Sequence, residues 1–416
     1  MVKENNKLWS KNFVLIIIIN FLVFLNHLMV LSAFPLFITN SKAFAEIGSD
    51  TIAGACATVF SLIGVVCRPF VGIMLDSGKR RSILIVGLIL MALMPMGYLF
   101  ASALFVSIAL AIVCRMAHGV ALALSNTTTS TIATDVIPKT RFGEGMGMFG
   151  MATALATAIA PSIGQLLMKK AAQVGGKTIY DFKYLFIVAT VIMVLSLVLF
   201  SFLKMPKINV EKKPFSFKNL IDRDALPASL TTLIFLITYG SLENFTIKFA
   251  MESDDISISG GVYFALMAVM LFLTRISIGK ISDKRGESIF VYSCNGSMFV
   301  ALMLIAFVPC NVSFIISALL SGYAFGGLEP ALQAMAVSIA PPNKRGAANS
   351  TFLCAYDIGI GVGGGLAGWL IDAVGYNHMF AIIAAANVLS AIVYVLIGRH
   401  HPSSITFRLE NERKGK

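Results

Sequence analysis

The stretch RPFVGIMLDSGKRR, residues 68–81, follows an apolar run and places Arg68, Gly72 and Asp76 at intervals of four residues. The stretch RISIGKISDKRGES, residues 275–288, repeats this spacing 207 residues later, again after an apolar run. An acid followed by basic residues after an apolar run is typical of a membrane-spanning helix that ends at the cytoplasmic surface. A helix end that occurs twice predicts that a whole unit of helices has been duplicated.

The composition excludes a soluble protein. Only 13% of the 416 residues are charged, 57% are hydrophobic, and the mean hydropathy is +0.83. Soluble domains carry charge on about a quarter of their residues, so this chain needs the bilayer as its apolar solvent. Soluble enzymes, nucleic-acid binders and secreted disulfide scaffolds are therefore excluded. The six cysteines show no CxxC spacing, so neither a metal site nor a disulfide framework is predicted.

Apolar runs of about 20 residues, the length that crosses a bilayer as a helix, occur twelve times along the chain. They lie near residues 12–38, 51–75, 82–100, 103–134, 143–168, 184–204, 228–250, 260–281, 289–308, 313–339, 348–371 and 378–398. The first run is too long for the apolar core of a signal peptide, so it is predicted to be an uncleaved first helix. Because the number of spans is even, both termini are predicted to lie on one side of the membrane.

The positions of the basic residues predict the orientation of these helices. Most of the 33 lysines and arginines lie in the tails and in the loops on the side of the termini. Because cytoplasmic loops are rich in such residues, both termini are predicted to be cytoplasmic, in the plasma membrane of a bacterium. The net charge of +12 therefore reflects topology, and no nucleic-acid partner is expected.

The duplication divides the chain into four parts. We predict an N-terminal six-helix bundle at 1–204, a cytoplasmic linker at 205–227, a C-terminal six-helix bundle at 228–398 and a cytoplasmic tail at 399–416. Gly164 and Gly368 support this division, because they match at a similar offset of 204 residues. The predicted fold class is an all-α membrane protein with 12 transmembrane helices in two pseudo-symmetric bundles.

The stretch 72–81 resembles the loop 2–3 signature of the major facilitator superfamily, Gly-x3-Asp followed by glycine and basic residues. This copy has one residue fewer than the signature between Asp76 and Gly78. The stretch APSIG at 160–164 resembles the antiporter motif of the exporters in that family, and 345–368 resembles span 11 of its drug- and sugar-efflux members. The resemblance implies the superfamily's fold and a carrier that exports a small molecule in exchange for protons.

The resemblance also implies an inner gate at the cytoplasmic ends of spans 2 and 8. The predicted gating residues are Gly72, Asp76, Arg80, Gly279, Asp283 and Arg285. A carboxylate at such a helix end can cap the positive N-terminal end of a neighbouring helix; a solvated loop charge is the alternative. Arg68 and Arg275 either pair with an acid such as Asp135 or extend to the inner surface of the membrane.

Two charged residues lie deep within predicted spans. Arg115 is about 18 Å into span 4 and Asp357 is about 15 Å into span 11, at about 1.5 Å per residue. Arg115, whose spacing to Gly119 resembles the family's second motif, must face a polar cavity or a carboxylate. This depth favours a role in substrate binding or proton coupling over a purely structural pair. Asp357 is predicted to carry the coupling proton, and a permanent salt bridge is the alternative.

The predicted substrate cavity contains polar residues from several spans. Its residues are Asn26, His27, Arg115, Asn126, Tyr239, Glu243 and Glu329. Glu243 and Glu329 point to a cationic or zwitterionic substrate, because efflux members of the family more often have neutral residues there. His27 either takes part in proton coupling or packs as a hydrogen-bonded residue. The polar run 125–131 cannot face one cavity throughout, so some of its hydroxyls are predicted to bond to the helix backbone.

Small residues and a helix-internal proline are predicted to let helices pack closely. These residues are Pro161, Gly164, Gly361 and Gly368. Gly359, Gly361 and Gly364 also match a dinucleotide fingerprint, but no strand precedes them, so close packing is the prediction. We expect a monomeric secondary transporter with a small-molecule substrate and a proton as coupling ion, without enzyme activity, cofactor or metal. An importer or uniporter of the same fold and a membrane sensor are the alternatives.

Overall fold

The computed structural model describes residues 8–76, 78–138, 142–174, 177–204, 221–340 and 345–414. Its helices are α1 (Lys11–Asn40), α2 (Asp50–Asp76), α3 (Arg80–Ala103), α4 (Ile108–Val136), α5 (Phe142–Leu167), α6 (Lys183–Ser201), α7 (Leu226–Glu252), α8 (Gly260–Arg285), α9 (Ser288–Phe307), α10 (Asn311–Val337), α11 (Arg345–Val393) and α12 (Ile405–Lys414). Two strands, β1 (Lys169–Val174) and β2 (Lys177–Asp181), lie between α5 and α6. Most of the predicted linker, 205–220, and the last two residues of the predicted tail lie outside the described residues.

The helices follow the predicted spans closely. Within the described residues, ten helical segments are long and apolar enough to cross a membrane, and Gly260–Arg275 of α8 is a shorter apolar segment. Helix α11, with 49 residues, and the π-helical turn Tyr394–Gly398 that follows it contain both of the last two predicted spans. Gly375 separates these two spans, because its φ of 79° and ψ of 173° are not helical. A positive φ of this size is readily adopted only by glycine.

A β-hairpin between α5 and α6 was not predicted. Strands β1 and β2 pair in antiparallel register, with Lys169 opposite Asp181. Tyr180 on β2 is 6% exposed and forms an isolated bridge with Ser41, which follows α1. The hairpin therefore attaches to the end of α1.

Serine side chains fix the starts of α1 and α4. Ser10 Oγ accepts a hydrogen bond from Phe13 N at 3.2 Å, and Ser107 Oγ accepts one from Leu110 N at 3.3 Å. The first N–H groups of a helix have no partner within it, so these bonds satisfy donors that would otherwise need water. Both helices carry predicted cavity residues, which are thereby held on defined segments.

The helices form two compact units. Unit 1 lies within Met1–Gly48 and Ile63–Phe215, and unit 2 lies within Ser49–Leu62 and Ser216–Lys416. Helix α2 is shared, because its first residues group with unit 2 and its remainder groups with unit 1. The prediction of two bundles joined by a linker did not anticipate that one helix is divided in this way.

Unit 1 has an aromatic core built from three helices. Phe37 on α1 contacts Phe182 and Phe186, with ring centroids 5.4 and 5.0 Å apart. Phe34, one turn earlier on α1, contacts Tyr98 on α3 at 5.3 Å. All five rings are buried. Rings of this size supply much of the apolar area that a core buries, and two of them, Phe34 and Tyr98, contact the segment of α4 that carries Arg115.

Unit 2 fixes α8 against α10 through a buried tyrosine. Tyr263 is fully buried, and its hydroxyl forms hydrogen bonds with Ser317 Oγ at 3.1 Å and Ser321 Oγ at 3.0 Å. Its ring also packs on Phe314, at a centroid distance of 4.8 Å. A buried hydroxyl needs such partners, and here they set the positions of α8 and α10, which carry Arg275 and Glu329.

Candidate functional site

A buried cation with aromatic neighbours lies in unit 1. Arg115 on α4 is 0% exposed, and its guanidinium carbon lies 4.7 Å from the centroid of the Phe34 ring. His118, one turn further along α4, forms a hydrogen bond with the Tyr98 hydroxyl at 3.1 Å. The His27 ring on α1 lies 6.1 Å from the His118 ring. The structure therefore brings the predicted residues Arg115 and His27 together, and the aromatic face stabilises the buried charge.

The two polar atoms of the Asn26 amide differ in their hydrogen bonding. Its Nδ2 donates a hydrogen bond to the Ala189 carbonyl at 2.8 Å, while its Oδ1 is buried without a hydrogen-bond partner among the described residues. A buried amide oxygen left unsatisfied is costly. The structure thus assigns Asn26 a role in joining α1 to α6 and leaves its oxygen as an acceptor.

The polar run on α4 bonds largely to its own helix. Thr128 Oγ1 donates to the Leu124 carbonyl at 2.6 Å, and Thr131 Oγ1 donates to the Thr127 carbonyl at 2.8 Å. Thr129 Oγ1 lies between the Asn126 carbonyl, at 3.0 Å, and Asn20 Oδ1 on α1, at 3.1 Å. The prediction that some of these hydroxyls bond to the backbone is confirmed. Asn126 is partly buried, and its described hydrogen bond is through its main-chain oxygen.

One residue of the predicted gating motif in unit 1, Arg80, forms an ion pair. Arg80 at the start of α3 pairs with Asp135 near the end of α4, with Nε and Oδ2 2.9 Å apart. The sequence offered Asp135 as a possible partner for Arg68; in the structure, the Asp135 carboxylate lies beside Arg80. Gly78 precedes this pair with a φ of 83°, and Gly72 lies in α2 with open space where a side chain would be. The side chain of Asp76 lies outside the described residues.

The second copy of the motif is described in part. Gly279 and Asp283 lie in α8, but the surroundings of Gly279 and the side chain of Asp283 are outside the described residues. Arg285, the last residue of α8, is exposed, and Gly286 follows it with a φ of 81°. Both copies therefore place a glycine with positive φ two or three residues after the aspartate of the motif, and glycine adopts this conformation more readily than other residues.

Arg275 and Glu329 form an ion pair in unit 2. Arg275 Nη2 on α8 contacts Glu329 Oε2 on α10, and the two side chains are 36% and 15% exposed. Of the two alternatives for Arg275, pairing with an acid is correct, although the acid is Glu329. Glu329 was predicted to face the substrate, and the structure supplies its countercharge from within the same unit. A partly buried pair of this kind keeps both charges at a defined place.

Aromatic rings and carboxylates meet in the middle of unit 2. The Tyr239 ring on α7 stacks on the Phe325 ring on α10, with centroids 3.9 Å apart and an interplanar angle of 7°. The Phe325 ring lies 6.4 Å from the Tyr356 ring on α11. Glu243 follows Tyr239 by one turn on α7, and Glu329 follows Phe325 by one turn on α10, so both acids lie on the helix faces that carry the stacked rings. We call Tyr239, Glu243, Phe325, Glu329 and Tyr356 the aromatic–acid cluster.

The sequence predicted three members of this cluster, Tyr239, Glu243 and Glu329, but not the other two. Phe325 and Tyr356 are aromatic residues in apolar spans, where most aromatic residues serve packing, so nothing in their immediate sequence marked them. Asp357 follows Tyr356 directly on α11 and is partly buried. The predicted proton carrier therefore lies beside the aromatic–acid cluster.

Glycines on α11 bring it into close contact with α7. A Cβ atom on Gly363 would lie 2.2 Å from the Ile237 carbonyl oxygen, and one on Gly359 would lie 2.4 Å from the Leu233 carbonyl oxygen. On the opposing helix, a Cβ atom on Gly240 would lie 2.3 Å from the Ile360 carbonyl oxygen. No side chain fits at these three positions, so the glycines set how closely the helix of Tyr239 approaches the helix of Asp357.

The predicted packing residues also lie at close contacts. A Cβ atom on Gly361 would lie 2.6 Å from Ser61 Cβ, and one on Gly368 would lie 2.1 Å from the Asp50 carbonyl oxygen. In unit 1, a Cβ atom on Gly164 would lie 2.9 Å from the Met29 carbonyl oxygen, and Pro161 is a buried residue inside α5.

Charged residues that the sequence did not predict form a network at the start of α2. The Asp372 carboxylate on α11 accepts hydrogen bonds from Asp50 N at 3.1 Å and Thr51 N at 2.7 Å, and so caps α2. Lys248 Nζ on α7 lies 2.5 Å from Asp50 Oδ1 and 3.7 Å from Glu252 Oε1. We call Asp50, Lys248, Glu252 and Asp372 the outer charge network, after the side of the membrane on which the predicted orientation places these helix ends.

The outer charge network could not be read from local sequence. Lys248 is 198 positions from Asp50, and Asp372 is 322 positions from Asp50. Lys248 lies near the end of the predicted span 228–250, and the structure places it in α7 with 3% of its surface exposed. A buried lysine requires a countercharge, so its position within an apolar run was the one available signal.

Comparisons with known proteins identify the family. The family model of the Major Facilitator Superfamily matches residues 16–312 and 291–414. An uncharacterized MFS-type transporter of Methanocaldococcus jannaschii is 24% identical over 344 residues, which cover 81% of this chain and 86% of that protein. An uncharacterized MFS-type transporter of Burkholderia mallei is 36% identical over 109 residues, which cover 25% of this chain and 26% of that protein.

Solved structures of other transporters share the fold. The nucleoside transporter NupG has a TM-score of 0.71 at 15% identity, over 92% of this chain and 99% of that one. A POT family transporter in complex with a thioalcohol-conjugated peptide has a TM-score of 0.72 at 14% identity, over 94% of this chain and 96% of that one. The predicted fold class is confirmed. The chain is a multi-pass membrane transporter, and it belongs to the Major Facilitator Superfamily.

Proposed function

We propose that this transporter exports a small aromatic or planar organic cation in exchange for protons. The observation that carries the proposal is the aromatic–acid cluster, in which stacked rings stand beside the carboxylates of Glu243 and Glu329. The negative faces of aromatic rings attract cations, and a planar substrate stacks on such rings. Carboxylates beside the rings add selectivity for positive charge. Glu243 is the acid we assign to the substrate, because it follows Tyr239 of the stacked pair by one turn on α7.

Asp357 is the residue we assign to the coupling proton. It is an acid within a membrane-spanning helix, directly beside the aromatic–acid cluster. Ionisable residues inside membrane spans are costly to keep and commonly belong to proton pathways. The resemblance of 160–164 and 345–368 to drug- and sugar-efflux members supports export over import. His27 and Arg115 of unit 1 are proposed to take part in proton coupling or in binding a negative group of the substrate.

Gates at the two ends of the helices complete the proposal. At the predicted cytoplasmic side, the motif residues Gly72, Asp76, Arg80, Gly279, Asp283 and Arg285 would form the inner gate. At the opposite side, the outer charge network fastens the start of α2 to α7 and α11. Alternating access requires that such contacts form on one side and release on the other. We expect this cycle in a monomer in the plasma membrane.

The transport of ethidium by purified protein in lipid vesicles tests the proposal. Ethidium is a planar aromatic cation with a permanent charge, so a pH gradient alone does not distribute it. With the membrane potential clamped by valinomycin and potassium, we expect ethidium to accumulate in vesicles whose lumen is more acidic than the medium. Accumulation only where the lumen is more alkaline would show a proton-coupled importer. Accumulation that ignores the pH gradient would show a uniporter.

Glu243→Gln tests the substrate assignment. The substitution removes the carboxylate next to Tyr239, and we expect the KM for ethidium to rise about tenfold, which corresponds to about 1.4 kcal/mol. Glu412→Gln, at an exposed position on α12, is the matched control and should leave the KM unchanged. Equal KM values in the two variants would remove Glu243 from the substrate site.

A further inference from the structure

The C-terminal segment 399–414 is docked on the turn between α8 and α9. Glu287 in this turn is fully buried, and both of its carboxylate oxygens are used. Its Oε1 accepts hydrogen bonds from Tyr394 Oη at 2.8 Å and Ser404 Oγ at 2.6 Å. Its Oε2 accepts from Ile405 N at 3.0 Å and Thr406 N at 3.1 Å. Glu287 therefore caps the first turn of α12.

Residues on both sides of Glu287 contact the same segment. Ser288 N donates to Thr406 Oγ1 at 3.2 Å. A Cβ atom on Gly286 would lie 2.1 Å from Thr406 Oγ1, so no side chain fits there. Ser338, which follows α10, donates from its Oγ to the Ser403 carbonyl at 2.7 Å. The segment thus joins the end of α8, the start of α9 and the end of α10.

The attachment of α12 depends on the charge of Glu287. A buried carboxylate is costly unless each oxygen has hydrogen-bond donors, and here four donors meet it. The positive end of a helix stabilises a carboxylate further. Helix α12 has 10 residues, and a helix shorter than about 12 residues is marginal in water on its own. Without the Glu287 carboxylate, α12 loses the acceptor of the hydrogen bonds that hold its first turn against the α8–α9 turn.

The equivalent turn in unit 1 is built differently. There, Gly78 is followed by Lys79 and Arg80, and Arg80 pairs with Asp135 at the end of α4. In unit 2, Gly286 is followed by an acid instead of bases, and the end of α10 is reached through the C-terminal segment. The segment therefore joins this turn to the end of α10, as the ion pair of Arg80 with Asp135 joins the turn of unit 1 to the end of α4.

We propose that residues 399–414 position the second copy of the gating motif, with Glu287 as the anchoring residue. By holding Gly286 and Ser288, the segment fixes the last turn of α8, which contains Asp283 and Arg285. This inference rests on the proposed function only for its effect on transport. Loss of the anchor loosens the inner gate and leaves the aromatic–acid cluster unchanged, so the maximal rate of transport falls severalfold while the KM for ethidium stays the same.

Hydrogen–deuterium exchange of the full-length protein in detergent micelles tests the docking. Glu287→Ala should speed the exchange of 405–414 and also of 279–290, whereas Glu410→Gln should change neither. Glu410 is a suitable control because its carboxylate, 41% exposed, lies 3.6 Å from Arg399 and makes a weak surface pair. Faster exchange in 405–414 alone would overturn the proposal, because α12 would then be docked without positioning α8. Unchanged exchange in both segments would overturn it as well.

Two further measurements keep the test decisive. If Glu287→Ala does not fold, a chain that ends after Pro402 removes α12 and leaves Glu287 open to water; the same faster exchange in 279–290 is expected. The vesicle assay with ethidium then measures the rate. A wild-type protein that moves no ethidium would refute the proposed function, whereas the exchange data would still decide the docking. An unchanged maximal rate together with faster exchange would refute the effect on the gate.

Discussion

The two turns that carry the gating motif have similar backbones and different partners. Gly78 and Gly286 have φ values of 83° and 81°, and each precedes the first turn of the next helix. In unit 1 the turn is closed by the ion pair of Arg80 with Asp135. In unit 2 it is closed by Glu287, which binds the C-terminal helix. The backbone turn is thus alike in the two units, while the side chains that fasten it differ.

The difference shows that a repeated motif specifies geometry more strongly than it specifies contacts. A glycine with positive φ is needed in both turns to reverse the chain within a few residues. The residues after the glycine are free to change if another element satisfies the helix ends nearby. An ion pair between neighbouring helices and a capped additional helix are two solutions to the same requirement.

The largest expected effect is at Glu287. Glu287→Ala leaves the N–H groups of Ile405 and Thr406 and two hydroxyls without their acceptor. We expect the free energy of unfolding to fall by about 3 kcal/mol or more, because each buried unsatisfied donor costs about 1–3 kcal/mol. Denaturant titration of the purified protein in detergent measures this change. A loss no larger than that of Glu410→Gln would contradict the assigned role of Glu287.

The two glycines separate backbone strain from crowding. Gly78→Ala places alanine at a positive φ, which costs about 1 kcal/mol. Gly286→Ala adds an overlap with Thr406, so a total loss of about 2–3 kcal/mol is expected. Thermal unfolding of both variants in the same detergent compares them. Equal losses would show that the C-terminal segment moves aside without cost, and would weaken the contrast between the turns.

The smallest effect is expected at Asp135. Asp135→Asn removes the partner of Arg80 in unit 1, but both side chains retain some exposure, at 13% and 19%. We expect a loss of about 1 kcal/mol that is reduced further at high salt, since water and ions screen a pair at a helix end. Unfolding titrations at low and high salt provide the measurement. A loss as large as that of Glu287→Ala would mean that the two turns are fastened equally.

Most of the fold followed from the sequence because each span carries its own signal. An apolar run of about 20 residues needs no knowledge of its neighbours to be recognised as a membrane helix, and the break at Gly375 falls between the last two predicted runs. The β-hairpin after α5 was not predicted, because the sequence of β1 has no strong alternation of apolar and polar residues. Strand β1 pairs with β2, which follows it directly in the chain.

Less of the candidate site was predictable, because its contacts join distant parts of the chain. Arg115 and Glu243 were found as charges inside apolar runs, where each is unusual by itself. Phe325 and Asp372 were not found, because a phenylalanine in a span and an acid near a span end are both ordinary. The roles of Phe325 and Asp372 depend on their partners on other helices, which only the packed structure identifies.

Proton flow driven by ethidium alone is the most direct test of the account. Vesicles that contain the protein and the pH-sensitive dye pyranine are loaded with ethidium and diluted into medium of the same pH, with the membrane potential clamped. Thermodynamic reciprocity requires an antiporter to exchange outgoing ethidium for incoming protons, so the lumen should become acidic. Asp357→Asn should abolish this acidification, whereas Glu412→Gln should preserve it. A lumen that stays at constant pH while ethidium leaves through the wild-type protein would contradict proton-coupled export.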